Sequence, residues 1–265
     1  MALKKQHGII STIYEARDED ADGGVNIALC ANAVRVLHRL GVYDELRGIG
    51  WTFEEVSMVS ARTGNKLGEV LNGSEKHYGF SALRIYRGDV QKVLLREAQR
   101  QGLDVHFNKK LLRVQNETED KVTLEFEGGE LVDAEYVIGA DGVWSRVRKH
   151  IADVELPFSG FVGILGMNME GKDLHPSVKN FELPMFCFGD SGMIAVFPTN
   201  LIGTTFDMFS TFPFAERSRK DWEELFENKK EKQVIMMKKY SSGGWPEFIS
   251  RVYSEHIPDK LRMHA

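Results

Sequence analysis

The sequence predicts an α/β fold in two parts, an α/β half followed by a sheet-and-helix half. Three observations predict it. Strand-like runs at Gly8 to Arg17 (GIISTIYEAR) and Tyr136 to Asp141 (YVIGAD) each lead to an acidic residue. Between them, Asp89 to Gln101 (DVQKVLLREAQRQ) carries an apolar helical face of Val90, Val93, Leu94 and Ala98. From Phe158 the strands FVGILGMNM, MIAVFP and GTTFDMF turn rich in aromatics and methionine, and Phe214 to Tyr253 reads as helices.

In chain order, MALKKQ contains good helix formers but spans too few turns to be stable alone. After the strand of residues 8–17 comes a loop, DEDADGG, and then a helix near Ala31 to Leu40 with Val34, Leu37 and Leu40 on one face. Gly41 stops that helix, as a C-terminal glycine does. Residues 53–85 read as paired strands with turns at RTGNK and LNGSE. Beyond the long helix, VHF, LLRVQ, KVTLEF and ELVDA are short strands, with Glu127-Gly128-Gly129-Glu130 as a hairpin turn and YVIGAD as the closing strand. In MIAVFP, Met193, Ala195 and Phe197 alternate with Ile194 and Val196. The last helices are predicted to break at Ser241-Ser242-Gly243-Gly244 and Pro246.

Composition bounds the function. The 265 residues are 42% hydrophobic and 28% charged, an ordinary globular balance, and long enough for one large domain or two small ones. The net charge of −5, with basic residues spread along the chain, argues against a nucleic-acid binder. Cys30 and Cys187 are far apart, without a CxxC pair, and read as two buried, reduced thiols of a cytoplasmic protein. The eight histidines form no His-x-x-x-His pair, so a metal site has little support. No apolar run approaches the roughly 18 residues a membrane span needs, and MALKKQHG is not a signal peptide.

One stretch points to chemistry. In YVIGADGVWSRVRK a strand runs into a Gly-Ala-Asp-Gly turn and then a basic segment, which brings backbone and a carboxylate toward a nucleotide. In a dinucleotide fold, a strand-end acid lies about 20 residues beyond the glycine-rich loop and accepts from the ribose hydroxyls. Glu15 ends a strand, and counting back from it passes residue 1. MALKKQ then reads as the tail of the first helix, with the first strand and phosphate loop not encoded here. Taken singly, each candidate has a plainer reading: a solvated strand-end carboxylate at Glu15, a surface residue at Arg87, an ordinary turn at Asp141-Gly142.

Four segments in order, TIYEAR, GGVNIALCANAVRVL, LRIYRGDVQKVLLREA and YVIGADGVWSRVRK, resemble the FAD-dependent aromatic hydroxylases and their fungal epoxidase-like relatives. The resemblance implies an incomplete Rossmann-like FAD-binding domain over 1–155 and a β-sheet-plus-helix substrate domain over 156–265. It implies that Glu15 holds the adenosine ribose, Arg87 lies beside the flavin, Asp141 and Gly142 serve FAD and NAD(P)H, and Gly24 and Val25 line the cofactor loop. Asn32 matches the family's Pro-Asn-Ala, with Ala31 in place of the proline. The implied reaction is NAD(P)H-driven hydroxylation or epoxidation of an aromatic or polyprenyl substrate through a flavin hydroperoxide. Met193, Phe197, Phe206 and Met208 are the candidate substrate-side residues.

There are departures from the family pattern. Leu165 stands where many relatives carry an arginine before a glycine, so no catalytic residue is assigned. WPEFISRVYSEHIPDKLRMHA resembles the approach to a second Gly-Asp cofactor motif that the sequence does not contain, so the chain reads as truncated at both ends. The competing expectation is a non-catalytic fragment or interaction module that binds no FAD. Trp51, Trp144, Trp222 and Trp245 are nowhere two residues apart, which excludes the Trp-x-Trp signature of flavin halogenases. Without its first strand the parallel sheet would expose strand edges, and the isolated chain is expected to be marginally stable.

Overall fold

A computed structural model describes residues 1–265 apart from 22, 153, 155, 174–175, 242–243, 256–261 and 265. The elements in chain order begin with α1 (Ala2–His7), β1 (Ile13–Tyr14), β2 (Asn26–Leu29), α2 (Ala31–Leu40), α3 (Tyr43–Arg47), β3 (Trp51–Phe53), β4 (Glu55–Ser60) and β5 (Lys66–Leu71). Next are α4 (Glu75–Tyr78), β6 (Ala82–Tyr86), α5 (Arg87–Arg100), β7 (Val105–His106), β8 (Leu111–Glu117), β9 (Val122–Phe126), β10 (Leu131–Ala134) and α6 (Arg146–Ile151). The remainder is β11 (Phe161–Glu170), β12 (Met185–Gly189), β13 (Gly192–Pro198), β14 (Thr205–Pro213), α7 (Arg219–Glu227), α8 (Lys229–Tyr240), α9 (Glu247–Glu255) and β15 (Arg262–His264). Among the described residues, no helix is long and apolar enough to cross a membrane.

The chain forms two compact units. The first comprises residues 1–22 and 95–157. In it β1 and β7 pair in parallel, Ile13 opposite Val105 and Tyr14 opposite His106. A three-stranded antiparallel sheet, β10-β9-β8, closes through the glycine turn read from the sequence, with Gly128 and Gly129 both at positive φ. Helix α1 forms despite its length because Gly8 adopts a left-handed cap and Lys4 donates to the Gln101 carbonyl.

The second unit comprises residues 23–94 and 158–265. Its seven-stranded sheet has the order β15-β11-β14-β13-β12-β4-β5, and a three-stranded sheet has the order β2-β6-β3. Side chains alternate across the large sheet. Ile164, Met185, Ile194, Val196, Met208 and Phe212 pack with Tyr240, Phe248 and Tyr253 of α8 and α9. Ala195 and Phe197 point the other way and pack with Phe53, Val56 and Ala82. Ser218 caps α7 by accepting from Asp221 N, and Asn228 caps α8 by accepting from Glu231 N.

Several elements differ from the sequence expectation. The strand predicted over residues 8–17 shrinks to Ile13–Tyr14, and Ile9 and Ile10 are exposed. YVIGAD is not a strand: residues 136–140 have no ladder partner among the described residues, and Tyr136 and Ile138 are 88% and 76% exposed. A strand exists only through its partner's hydrogen bonds, and an apolar run without one remains an extended segment. LNGSE is not a hairpin turn. Ser74 there accepts from His77 N and starts α4. The predicted break at Ser242 and Gly243 lies outside the described residues, but Ser241 does cap α8.

Candidate functional site

In the second unit, the chain enters α5 from β6 directly beside the start of β2. Asn26 pairs with Tyr86, and just beyond this pair Arg87 N donates to the Val25 carbonyl at 3.1 Å. Gly24 has φ +101°. Gly23 presses against Gly88 so closely that a Cβ on Gly23 would lie 2.2 Å from Gly88 Cα and 2.6 Å from its nitrogen. Three predicted residues, Gly24, Val25 and Arg87, are therefore one backbone knot. Arg87 opens α5 and is exposed.

The first unit carries the other three. Glu15 follows β1; its backbone N–H donates to the His106 carbonyl, and its own carbonyl accepts from Lys109 N. Its Oε1 accepts from Arg17 N at 2.9 Å, and Oε2 has no hydrogen-bond donor among the described residues. That geometry fits a carboxylate able to accept from vicinal hydroxyls. Gly142 has φ +79°, with open space where a Cβ would be, so its backbone is bare to a ligand.

Asp141 faces inward to its own turn. Its Oδ1 accepts from Ser145 Oγ at 2.5 Å, and its Oδ2 from Arg146 N at 2.6 Å and Val147 N at 3.3 Å. Partial burial pushes its carboxyl up, but these hydrogen bonds outweigh burial and hold it below the usual aspartate range. The carboxylate thus ties the glycine turn to the start of α6, where Ser145 accepts in turn from Arg148 N.

The four substrate-side candidates divide between two faces of the large sheet. Met193 and Phe197 lie on the face that meets Phe53 and Ala82. Met208 is fully buried against the helices and Phe206 packs with it, so those two are core. Sequence reasoning missed Arg84 on β6 and Asp207 on β14, which pair on the Phe197 face with 3% and 1% exposure. The available signal was a single charge inside each apolar strand, in ALRIY and TFDMF. Leu165 lies on β11 as predicted, in register with Arg262 of β15.

A family profile described as "FAD binding domain" matches residues 2–238. The chain is 36% identical over 164 residues to 6-hydroxynicotinate 3-monooxygenase of Bordetella bronchiseptica, covering 61% of this chain and 42% of that protein. It is 31% identical over 195 residues to 3-amino-4-hydroxybenzoate 2-monooxygenase PtmB3 of Streptomyces platensis, covering 72% of this chain and 48% of that one. The chain therefore spans about half the length of the curated relatives it matches. Its fold is that of Klebsiella pneumoniae HpxO, solved with FAD and uric acid, at TM-score 0.78 and 19% identity over 98% of this chain and 62% of that one. With the profile spanning nearly all of its length, the chain belongs to the FAD binding domain family, alongside monooxygenases of substituted aromatic rings.

Proposed function

We propose that the chain carries FAD-dependent, NAD(P)H-driven monooxygenation of a small aromatic substrate. Residues 1–155 supply most of the cofactor contacts, and residues 156–265 the substrate sheet together with β4 and β5. The observation that carries this reading is the knot at Gly23, Gly88, Val25 and Arg87, where two glycines pack main chain against main chain and the exposed Arg87 opens α5. The glycine pair lets the loop of residues 23–25 close on the start of α5, and the Arg87 guanidinium offers several donors to an anionic or carbonyl-rich ligand. The relatives named above act on ring carboxylates bearing hydroxyl or amino groups, and that class is the substrate proposed here.

FAD would supply the transfer of electrons from NAD(P)H and the activation of oxygen. The chain's own residues do simpler work. Glu15 accepts from ribose hydroxyls through its free Oε2. Gly142 presents backbone to the cofactor, and Asp141 acts through that turn by fixing its shape rather than by direct contact. Arg87 offsets negative charge on the cofactor.

The test is FAD titration of the purified chain by flavin fluorescence, then NAD(P)H oxidation with hydroxylated aromatic carboxylates. Arg87→Met is expected to weaken FAD binding by roughly tenfold or more, the equivalent of one lost charge-assisted hydrogen bond. A folded chain that binds no FAD would overturn the reading and favour the interaction module.

A further inference from the structure

A cavity of about 880 Å³ lies at the turn between β12 and β13, within the second unit. Arg62, Lys238 and Lys239 line it, with Asp190 as its single acidic residue, and Phe188, Phe214 and Trp245 form part of its wall. The chain as a whole carries −5, so a cavity lined by three cations and one anion is opposite in sign to the net charge. Among the described residues none of the three cations is paired with a carboxylate within 4.0 Å. Lys239 sits with Nζ 4.6 Å from the centre of the Phe212 ring, and burial, then the neighbouring Lys238, pushes its pKa down.

The walls are built rather than accidental. Trp245 donates from Nε1 to Ser191 Oγ and to the Lys239 carbonyl, both at 3.1 Å, and Ser191 Oγ itself donates to that carbonyl at 2.7 Å. A Cβ on Gly189 would meet the Trp245 ring at 2.8 Å, so the glycine is what lets the indole close over the strand end. Phe188 is 42% exposed at the rim, so its ring is open to a ligand. The cavity shares no residue with Gly24, Val25 or Arg87.

We infer that this cavity binds a planar organic anion, an aromatic carboxylate whose ring lies among Phe188, Phe214 and Trp245 and whose carboxylate meets Arg62, Lys238 and Lys239. Its size falls in the range of small-molecule sites, and its lining combines aromatic rings with cations. The same chemical class enters and leaves the reaction proposed above, so the site is suited to sense substrate or product.

The probe is naphthoate, titrated by calorimetry into the purified chain beside its uncharged analogue naphthalenemethanol. Naphthoate is expected to bind and the alcohol to bind roughly tenfold or more weakly, the cost of one charge-assisted contact. Lys238→Met and Arg62→Met are each expected to weaken naphthoate by a similar factor, and Lys238→Arg to retain it. Equal affinity for acid and alcohol overturns the assignment, as does naphthoate binding indifferent to both methionine variants. Arg87→Met separates this site from the cofactor reading: FAD binding falls while naphthoate affinity stays. Naphthoate lost in Arg87→Met but kept in Lys238→Met places the acid elsewhere and also overturns it.

Discussion

Arg84 on β6 hydrogen-bonds Asp207 on β14, and this ion pair sits inside a phenylalanine layer. The Arg84 guanidinium carbon lies 4.7 Å from the centre of Phe197 and 5.9 Å from that of Phe209. Burial pushes the Asp207 carboxyl up while Arg84 pulls it down, and burial lowers Arg84 in turn. Arg84 Nε and Asp207 Oδ1 have no hydrogen-bond partner among the described residues. The pair joins the strand that leads into Arg87 to the sheet that carries Met193 and Phe197.

Removing one member of this pair strands the other charge in an apolar layer. Asp207→Ala is expected to cost about 3–5 kcal/mol of stability in urea denaturation. The double variant Arg84→Met with Asp207→Leu should recover most of that loss, because matched apolar replacements of buried pairs are often neutral. A double variant as unstable as the single one would show that the pair does more than cancel its own charges.

Gly23→Ala tests the knot beside Arg87. Its Cβ would meet the Gly88 backbone at 2.2 Å, with no flexible side chain to yield. Overpacking of this kind costs about 1–3 kcal/mol, and the displaced loop should weaken FAD binding at the same time. Parallel urea and flavin-fluorescence titrations check both effects, and an unchanged flavin affinity would detach the knot from cofactor binding.

How far the sequence could be read is visible at this knot. GGVN and LRIYRGD could be matched to a cofactor segment, but not the contact of Gly23 with Gly88, because two glycines far apart in sequence announce no shared contact. Helix α2 was legible to the residue, since Val34, Leu37 and a left-handed Gly41 are all local signals. Strand β12 was missed, and so was its parallel pairing with β4, which sets Met185 opposite Ser57. Parallel partners distant in sequence leave no local trace. YVIGAD shows the converse failure, since strand propensity was present and a partner was not.

Asp141→Ala removes acceptors for Ser145 Oγ and for the N–H groups of Arg146 and Val147. Loss of such a capping carboxylate costs about 0.5–2 kcal/mol. Amide exchange should accelerate at residues 145–148 before it does elsewhere in the first unit. Asp141→Asn keeps an acceptor oxygen and should lose less.

Burial alone pushes the Cys187 thiol up to about 12. The thiolate is the reactive form, so Cys187 is expected to resist an aromatic disulfide reagent while the chain is folded and to react once it unfolds. Cys30 is half-buried at the start of α2 and is the candidate for any labelling of the native chain. A Cys187→Ser variant distinguishes the two. Native-state labelling that disappears in that variant would show that the large sheet opens.

Glu97 on α5 offers a pH test with a definite sign. Its carboxylate accepts from Arg100 Nε and Nη2 and from Gln101 Nε2, each at 2.7 Å. The Arg100 hydrogen bonds, then that of Gln101, bring its pKa down from 4.5 to about 2. The folded chain therefore binds this proton more weakly than the unfolded chain does. The stabilisation is fully present above the unfolded value of 4.5 and is lost as pH falls through about 2. Arg100→Met should move the Glu97 carboxyl resonance in NMR titration back toward the ordinary range. It should also flatten the fall of the urea midpoint across that acid window, whereas Arg113→Met, whose partner is Glu125, should leave the Glu97 titration where it is.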